Sequence, residues 1–115
     1  MIELAKTNEQ YKKCLEYLSV KGTNPMQGSI LFFIEAEGEI KACAGWHPDL
    51  GGTIEPLQSE HRIYTQHLGY FMMGFIIGKG YNHITCWTEN EDWINILQKS
   101  GYSVWSKSTQ LVKGI

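Results

Sequence analysis

The sequence has little of what marks several specialised classes. Its 115 residues carry 10 Lys and Arg against 12 Asp and Glu, a formal net charge of −2, and the basic residues nowhere cluster. Without a positive field there is nothing to collect a phosphate backbone, which excludes nucleic-acid binding through a basic groove. The three cysteines, Cys14, Cys43 and Cys86, are an odd number and lie far apart, so they form no disulfide framework. Met1-Ile2-Glu3-Leu4 is neither basic nor long enough in apolar residues to begin a secretory leader, so a cytoplasmic protein with reduced thiols is expected. The most apolar run, Leu68 to Ile77, is about half of the ~20 residues a spanning helix needs, and no membrane segment is expected. No internal repeat, low-complexity tract or linker interrupts the chain. Residues 1–115 therefore read as one domain with one core. A hydrophobic content of 43% with 19% charged residues is ordinary for a globular protein and argues against disorder.

What is present is clear punctuation. Ile2-Glu3-Leu4-Ala5 reads as a short first strand. Thr7-Asn8-Glu9-Gln10 is a T-x-x-Q capping box, in which side chains at both ends satisfy free amides of the first helical turn. Behind it Tyr11, Cys14, Leu15 and Leu18 fall on one apolar stripe, with Lys12, Lys13 and Glu16 on the wet side. Gly22 to Gly28 reads as a loop. Ile30 to Ile34 is a continuous apolar run, the pattern of a strand buried on both faces. Glu37-Gly38 predicts a tight hairpin turn. On the return strand Ile40, Ala42, Ala44 and Trp46 share one face, with Glu39, Lys41 and Cys43 on the other. His47 to Gly52 is a loop. Thr53 to Gln58 is a strand that Pro56 interrupts, and proline places it at an edge or at a bulge. Ser59 to Ile77 predicts a helix, apolar around most of its circumference after Leu68 and therefore packed on a sheet. Gly78-Lys79-Gly80 closes it.

The stretch from His83 to Tyr102 is the most informative. A β run, His83 to Trp87, meets a polar break at Thr88–Asn90, and a short amphipathic helix follows. Asn90 is a good N-cap, Glu91 and Asp92 suit the positive end of the helix dipole, and Gly101 suits the left-handed closing position. Two last strands, around Tyr102–Ser106 and Gln110–Val112, read as a hairpin. The order β-α-β-β-β-α-β-α-β-β predicts an α/β fold: a mixed, mostly antiparallel sheet with helices on both faces.

That order, with its closing unit, resembles the GNAT family of acetyl-CoA-dependent N-acetyltransferases. The family's tail pattern is roughly N-x-x-A-x-x-[LF]-Y-x-K-x-G-F. Asn90 stands at its first position, Trp93 at the alanine, Ile96 at the leucine, and Lys99, Gly101 and Tyr102 at the K, G and aromatic positions. The hairpin IEAEGEIKACAG is similar to the family's central hairpin. The resemblance covers almost the whole chain and extends, more weakly, to the small acetyltransferase-like proteins that tailed phages encode.

The resemblance implies coenzyme A contacts at Gln58, Ser59, His61, Arg62, Ile63 and Asn90, with acetyl-CoA as cofactor if the chain is active. In the family, [QR]-x-x-G-x-[GA] leads a strand into a helix whose first amides cradle the pyrophosphate. Gln58 matches, but His61 and Ile63 replace the two small residues. A β-branched residue crowds the ligand and resists positive φ. Glu60 adds a negative charge there, which Arg62 offsets only in part. Leu97 stands where the family often has the tyrosine that protonates the leaving thiolate, and leucine has no proton to give. The seven residues from Gly22 to Gly28 leave little room for the helix that usually walls the acceptor site. If catalysis survives, the resemblance implies direct acyl transfer to an amine. Glu55 would serve as the base and a backbone amide of the bulged strand would polarise the thioester carbonyl. The plainer account of Glu55 is a solvated carboxylate on an edge strand.

Other constellations resolve to structure. Cys43-x-x-x-His47 and His83-x-x-Cys86 have the residue types of a zinc site, but strand alternation sends His83 and Cys86 to opposite faces, and no metal is expected. His61 and His67 are six residues apart, on different faces of their helix, and read as exposed histidines. Cys86 reads as a buried structural thiol, and Phe71, Met72, Met73 and Phe75 as core. Two functions follow. The favoured one is a GNAT-fold protein with a degenerate acetyl-CoA site that acts by binding a protein partner. The alternative is an acetyl-CoA-dependent N-acetyltransferase acting on an amine. The residues leave the oligomeric state open.

Overall fold

In the computed structural model, residues 1–87, 95, 98–99, 103–104 and 110–114 are described. Of the helix expected after Asn90 only residues 95, 98 and 99 are described, all helical, and Asn90, Trp93, Leu97, Gly101 and Tyr102 lie outside them. Among the described residues two four-stranded sheets make the frame. One runs β1-β2-β3-β5 and the other β4-β6-β8-β7. The strands are β1 (Ile2–Leu4), β2 (Ile30–Ala36), β3 (Glu39–Trp46), β4 (Thr53–Ile54), β5 (Leu57–Ser59), β6 (His83–Trp87), β7 (Ser103–Val104) and β8 (Gln110–Gly114). The pairings are antiparallel except β4 with β6. The fold is the mixed, mostly antiparallel α/β architecture expected.

Helix α1 (Asn8–Val20) starts on the capping box read from the sequence: Thr7 Oγ1 accepts from the Gln10 amide while the Gln10 side chain accepts from the Thr7 amide. It buries Cys14 and Leu18 completely against Leu31, Phe33 and Cys43. Leu15 stays on the rim at 37% exposure, so the stripe is narrower than the sequence predicts. Helix α2 (Arg62–Gly78) covers the opposite face, where Leu68, Met72 and Ile76 pack with Phe32, Ile34, Ala42, Ala44 and Trp46. Strand β2 thus feeds two cores with alternate residues, which is why Leu31 to Ile34 form an unbroken apolar run. Met73 and Phe75 pack against the α2-side core at its margin, whereas Phe71 is 38% exposed.

Two departures from the predicted pattern have local causes. Ile40 packs on the α1 side with Cys43, not with Ala42 and Trp46. The register runs Ile34↔Ala42 and then Glu35↔Ile40, so Lys41 is an extra residue, and a bulge reverses the face of everything before it. The hairpin that follows β2 has positive φ at both Glu37 (57°) and Gly38 (78°), as a primed two-residue turn requires. The second departure is at the start of α2. Ser59 belongs to β5 and the helix begins at Arg62, because the side chain of His61 caps it.

Candidate functional site

The segment from Thr53 to Ser59 joins the two sheets. Its first part pairs in parallel with β6 (Thr53↔Thr85, Ile54↔Cys86), and its last part pairs antiparallel with β3 (Ala44↔Leu57 to Ala42↔Ser59). Between them the Glu55 amide donates to Gly45 O and the Gly45 amide donates to Pro56 O, both at 2.9 Å. Gly45 therefore faces two residues, and this is the bulge that proline in the strand announces. Only glycine fits opposite it, since a Cβ at Gly45 would meet Glu55 O at 2.6 Å. Neither bulge residue has a free amide: that of Glu55 is engaged and Pro56 has none.

A cavity of about 480 Å³ opens at this point, between Thr23 and Asn24 of the loop after α1 and Ile54, Glu55, Leu57 and Gln58. Glu55 is exposed at its mouth. The loop from Lys21 to Ser29 contains no helix, so the expected shortness of this wall holds. Beyond Ile54 and Cys86 the pairing of this segment with β6 ends. The far wall of the groove after Trp87 lies outside the described residues.

The run Gln58 to Ile63 turns from β5 into α2, and its polar groups bond to one another. The Glu60 amide donates to Lys41 O at 2.8 Å. The His61 amide donates to Ser59 Oγ (3.2 Å), whose hydroxyl in turn donates to His61 O (2.7 Å). The Ile63 amide donates to His61 Nδ1 at 3.3 Å. The amides of Tyr64 and Thr65 both donate to His61 O. At the positive end of α2 the His61 side chain thus takes the Ile63 amide and Ser59 takes the amide just before the helix, while the Arg62 amide has no partner among the described residues. His61, Arg62 and Ile63 are exposed, and Gln58 and Ser59 are half-buried.

Glu60 points elsewhere. Its carboxylate pairs with Lys21 Nζ and accepts from Tyr17 Oη at 2.9 Å, and Tyr17 Oη also lies 3.2 Å from Lys41 O. The Lys21 ammonium, with Tyr17 beside it, holds the Glu60 carboxyl below the usual carboxylate range. Burial, with Glu60 behind it, pushes the Tyr17 hydroxyl well up. The carboxylate that the sequence places beside the phosphate loop is therefore a tie between that loop and the end of α1. Sequence reasoning missed both devices. The Ser59–His61 turn has a local signal, a serine bonding two residues on. The Tyr17–Glu60 contact spans 43 positions and has none.

The remaining candidates separate. His83 is exposed while Cys86 is fully buried one strand face away, and Cys43 lies in the α1-side core. Burial pushes the Cys86 thiol up to about 12. Among the described residues no group of three His, Cys, Asp or Glu side chains could hold a metal ion. No described helix is long and apolar enough to cross a membrane.

No protein-family model matches the sequence, and no curated protein sequence does. Solved structures share the fold. An N-acetyltransferase from Staphylococcus aureus Mu50 superposes with a TM-score of 0.72 at 12% identity, covering 99% of this chain and 97% of that one. The aminoglycoside 6'-acetyltransferase type Ii gives 0.68 at 17% identity, with 97% and 94% covered. N-acetylglutamate synthase from Neisseria gonorrhoeae, complexed with coenzyme A and N-acetyl-glutamate, gives 0.68 at 13% identity, with 99% of this chain and 35% of that one covered. The architecture is GNAT-like. At these identities the likeness is one of fold, and function rests on the site.

Proposed function

We propose that this chain uses a GNAT scaffold to bind a protein partner and does not hold acetyl-CoA by the family's amide cradle. The observation that carries this reading is the self-capped start of α2. The amides of Glu60, His61 and Ile63 already donate to Lys41 O, Ser59 Oγ and His61 Nδ1. A pyrophosphate would have to displace these bonds and pass the Ile63 side chain, which is 49% exposed there. On this reading residues 58–63 do not fit the pyrophosphate. The bulge also offers no amide at Glu55 or Pro56 to polarise a thioester carbonyl.

One observation favours a second reading, acetyl-CoA-dependent transfer to an amine. The cavity of about 480 Å³ beside Glu55 has room for a small acceptor, and the exposed carboxylate could take its proton. A thermal-shift titration with acetyl-CoA separates the two. A ligand at ~100 times its Kd adds about 2.7 kcal/mol, a rise on the order of ten degrees for a domain of this size. The partner-binding reading expects no shift at millimolar acetyl-CoA. A clear shift, with turnover that Glu55→Gln abolishes, would establish the transferase instead.

A further inference from the structure

Strand β1 is the outer strand of its sheet, and among the described residues nothing pairs with its other side. It is antiparallel to β2 with Ile2↔Ile34, Glu3↔Phe33 and Leu4↔Phe32, and the Ala5 amide donates to Leu31 O at 2.9 Å. Antiparallel ladders bond at alternate residues. Bonding at Ala5 therefore puts Glu3 in the other bonded pair, and turns the N–H and C=O of Ile2 and Leu4 outward.

The two flanks of this edge differ in chemistry. On the α2 side lies an apolar cavity of about 560 Å³, lined by Ile2, Ile34, Tyr64, Tyr70 and Phe71. Tyr70 is 51% and Phe71 38% exposed, although both sit on a helix whose neighbouring positions are core. On the α1 side a cavity of about 300 Å³ holds three carboxylates, Glu3, Glu9 and Glu35, against one base, Lys13. A strand laid along β1 would send alternate side chains to these two faces, on the acidic one beside Glu3 of β1, with Glu35 one strand further in on β2.

Building on the partner-binding reading above, we propose that the free edge of β1 takes an extended peptide of a protein partner as an added strand, with apolar side chains alternating with lysine or arginine. The outward groups of Ile2 and Leu4 supply the main-chain bonds. The aromatic cavity takes the apolar positions, and the carboxylates at Glu3, Glu9 and Glu35 take the basic ones. The charge on one flank fixes the partner's sign and its register together.

The test uses the whole chain and a capped, fluorescein-labelled peptide of alternating valine and lysine, read by anisotropy, with a valine–glutamate peptide as control. The lysine peptide should bind roughly tenfold or more tightly than the control, and Glu35→Lys should erase most of that difference. Leu4→Pro removes an outward N–H that β2 does not use, a change an edge strand tolerates. It should weaken binding roughly tenfold, the worth of one or two main-chain bonds, while the melting temperature holds. If Leu4→Pro fails to fold, a lysine peptide N-methylated at alternate residues blocks the same bonds from the ligand side and should lose affinity equally. Equal affinity for the two peptides, binding indifferent to Leu4→Pro and to N-methylation, or self-association through β1 that excludes the peptide would each overturn the strand site. Failure of the peptide on a chain that also ignores acetyl-CoA overturns the strand site alone. A chain that turns over acetyl-CoA and still takes the peptide loses the reading above and keeps the strand site.

Discussion

On the partner-binding reading, placing small residues at positions 61 and 63, where the GNAT family has them, should create affinity for coenzyme A. In His61→Gly/Ile63→Ala the imidazole that accepts from the Ile63 amide is gone, and so is the branched side chain 49% exposed beside it. Replacing an N-cap by glycine costs a few tenths of a kcal/mol. Truncating a half-exposed isoleucine costs about 1 kcal/mol of burial, partly returned by the helix propensity of alanine. The net loss is about 1 kcal/mol, a fall in melting temperature of roughly four degrees, which leaves a folded protein. The gain comes at the freed helix start. One or two charge-assisted bonds to phosphate, each about 1.5–3 kcal/mol, correspond to roughly ten- to a hundredfold tighter binding or more. Isothermal titration with coenzyme A on both proteins reads this directly. Native binding as tight as that of the double variant would refute the self-capping argument, because the displaced bonds would then cost nothing. A folded variant that still ignores coenzyme A would show that the barrier lies elsewhere in the groove.

Four further outcomes follow from the same structure. Glu60→Gln should cost about 0.5–1 kcal/mol at pH 7, a modest value because both partners are more than a third exposed. Its carboxyl is held below the usual range, so the stabilisation is present above the unfolded pKa and lost as pH falls through the folded one. Denaturant melts of native and variant protein should therefore converge as the pH falls below the usual carboxylate range. Gly52→Ala should be strongly destabilising, by roughly 2–3 kcal/mol or more, because a Cβ there would clash with the His83 carbonyl oxygen where β4 joins β6. Gly74→Ala, on the exposed face of α2 with nothing within 4 Å, should stabilise by about 0.5–1 kcal/mol, and thermal melts give both signs. Cys14, Cys43 and Cys86 are all fully buried, so a disulfide reagent at pH 8 should label none of them in the native protein and all of them in guanidinium. A thiol that reacts natively would contradict the packing of its core.

The local grammar of the chain was legible where neighbours in sequence decide the outcome. The capping box at Thr7 and Gln10, the turn at Glu37-Gly38, the doubly buried run at Ile30–Ile34 and the bulge at Pro56 each follow from a short pattern. The departures came where a single residue shifts the register. The extra Lys41 in β3 carries Ile40 to the other core, which strand alternation by itself cannot anticipate. The closing unit from His83 to Tyr102 carried much of the family resemblance, but most of it after Trp87 lies outside the described residues, which leaves residues 53–63 as the described part of the candidate site.

By itself the sequence determined an α/β domain with GNAT-like order, thiols suited to the interior and a Gln58–Ile63 run that lacks the small residues of the family's pattern. Periodicity, caps and turns are local, and local terms are written in adjacent residues. Only the tertiary structure decided where the polar groups of that run go. It showed Ser59 and His61 closing the start of α2, and Glu60 turned away to Lys21 and Tyr17 on another helix. It also showed an edge of β1 that is unpaired among the described residues, between an aromatic and an acidic flank. These depend on which distant groups meet in space. Hydrogen bonds and charge pairs reward such meetings only after the core has brought the elements together.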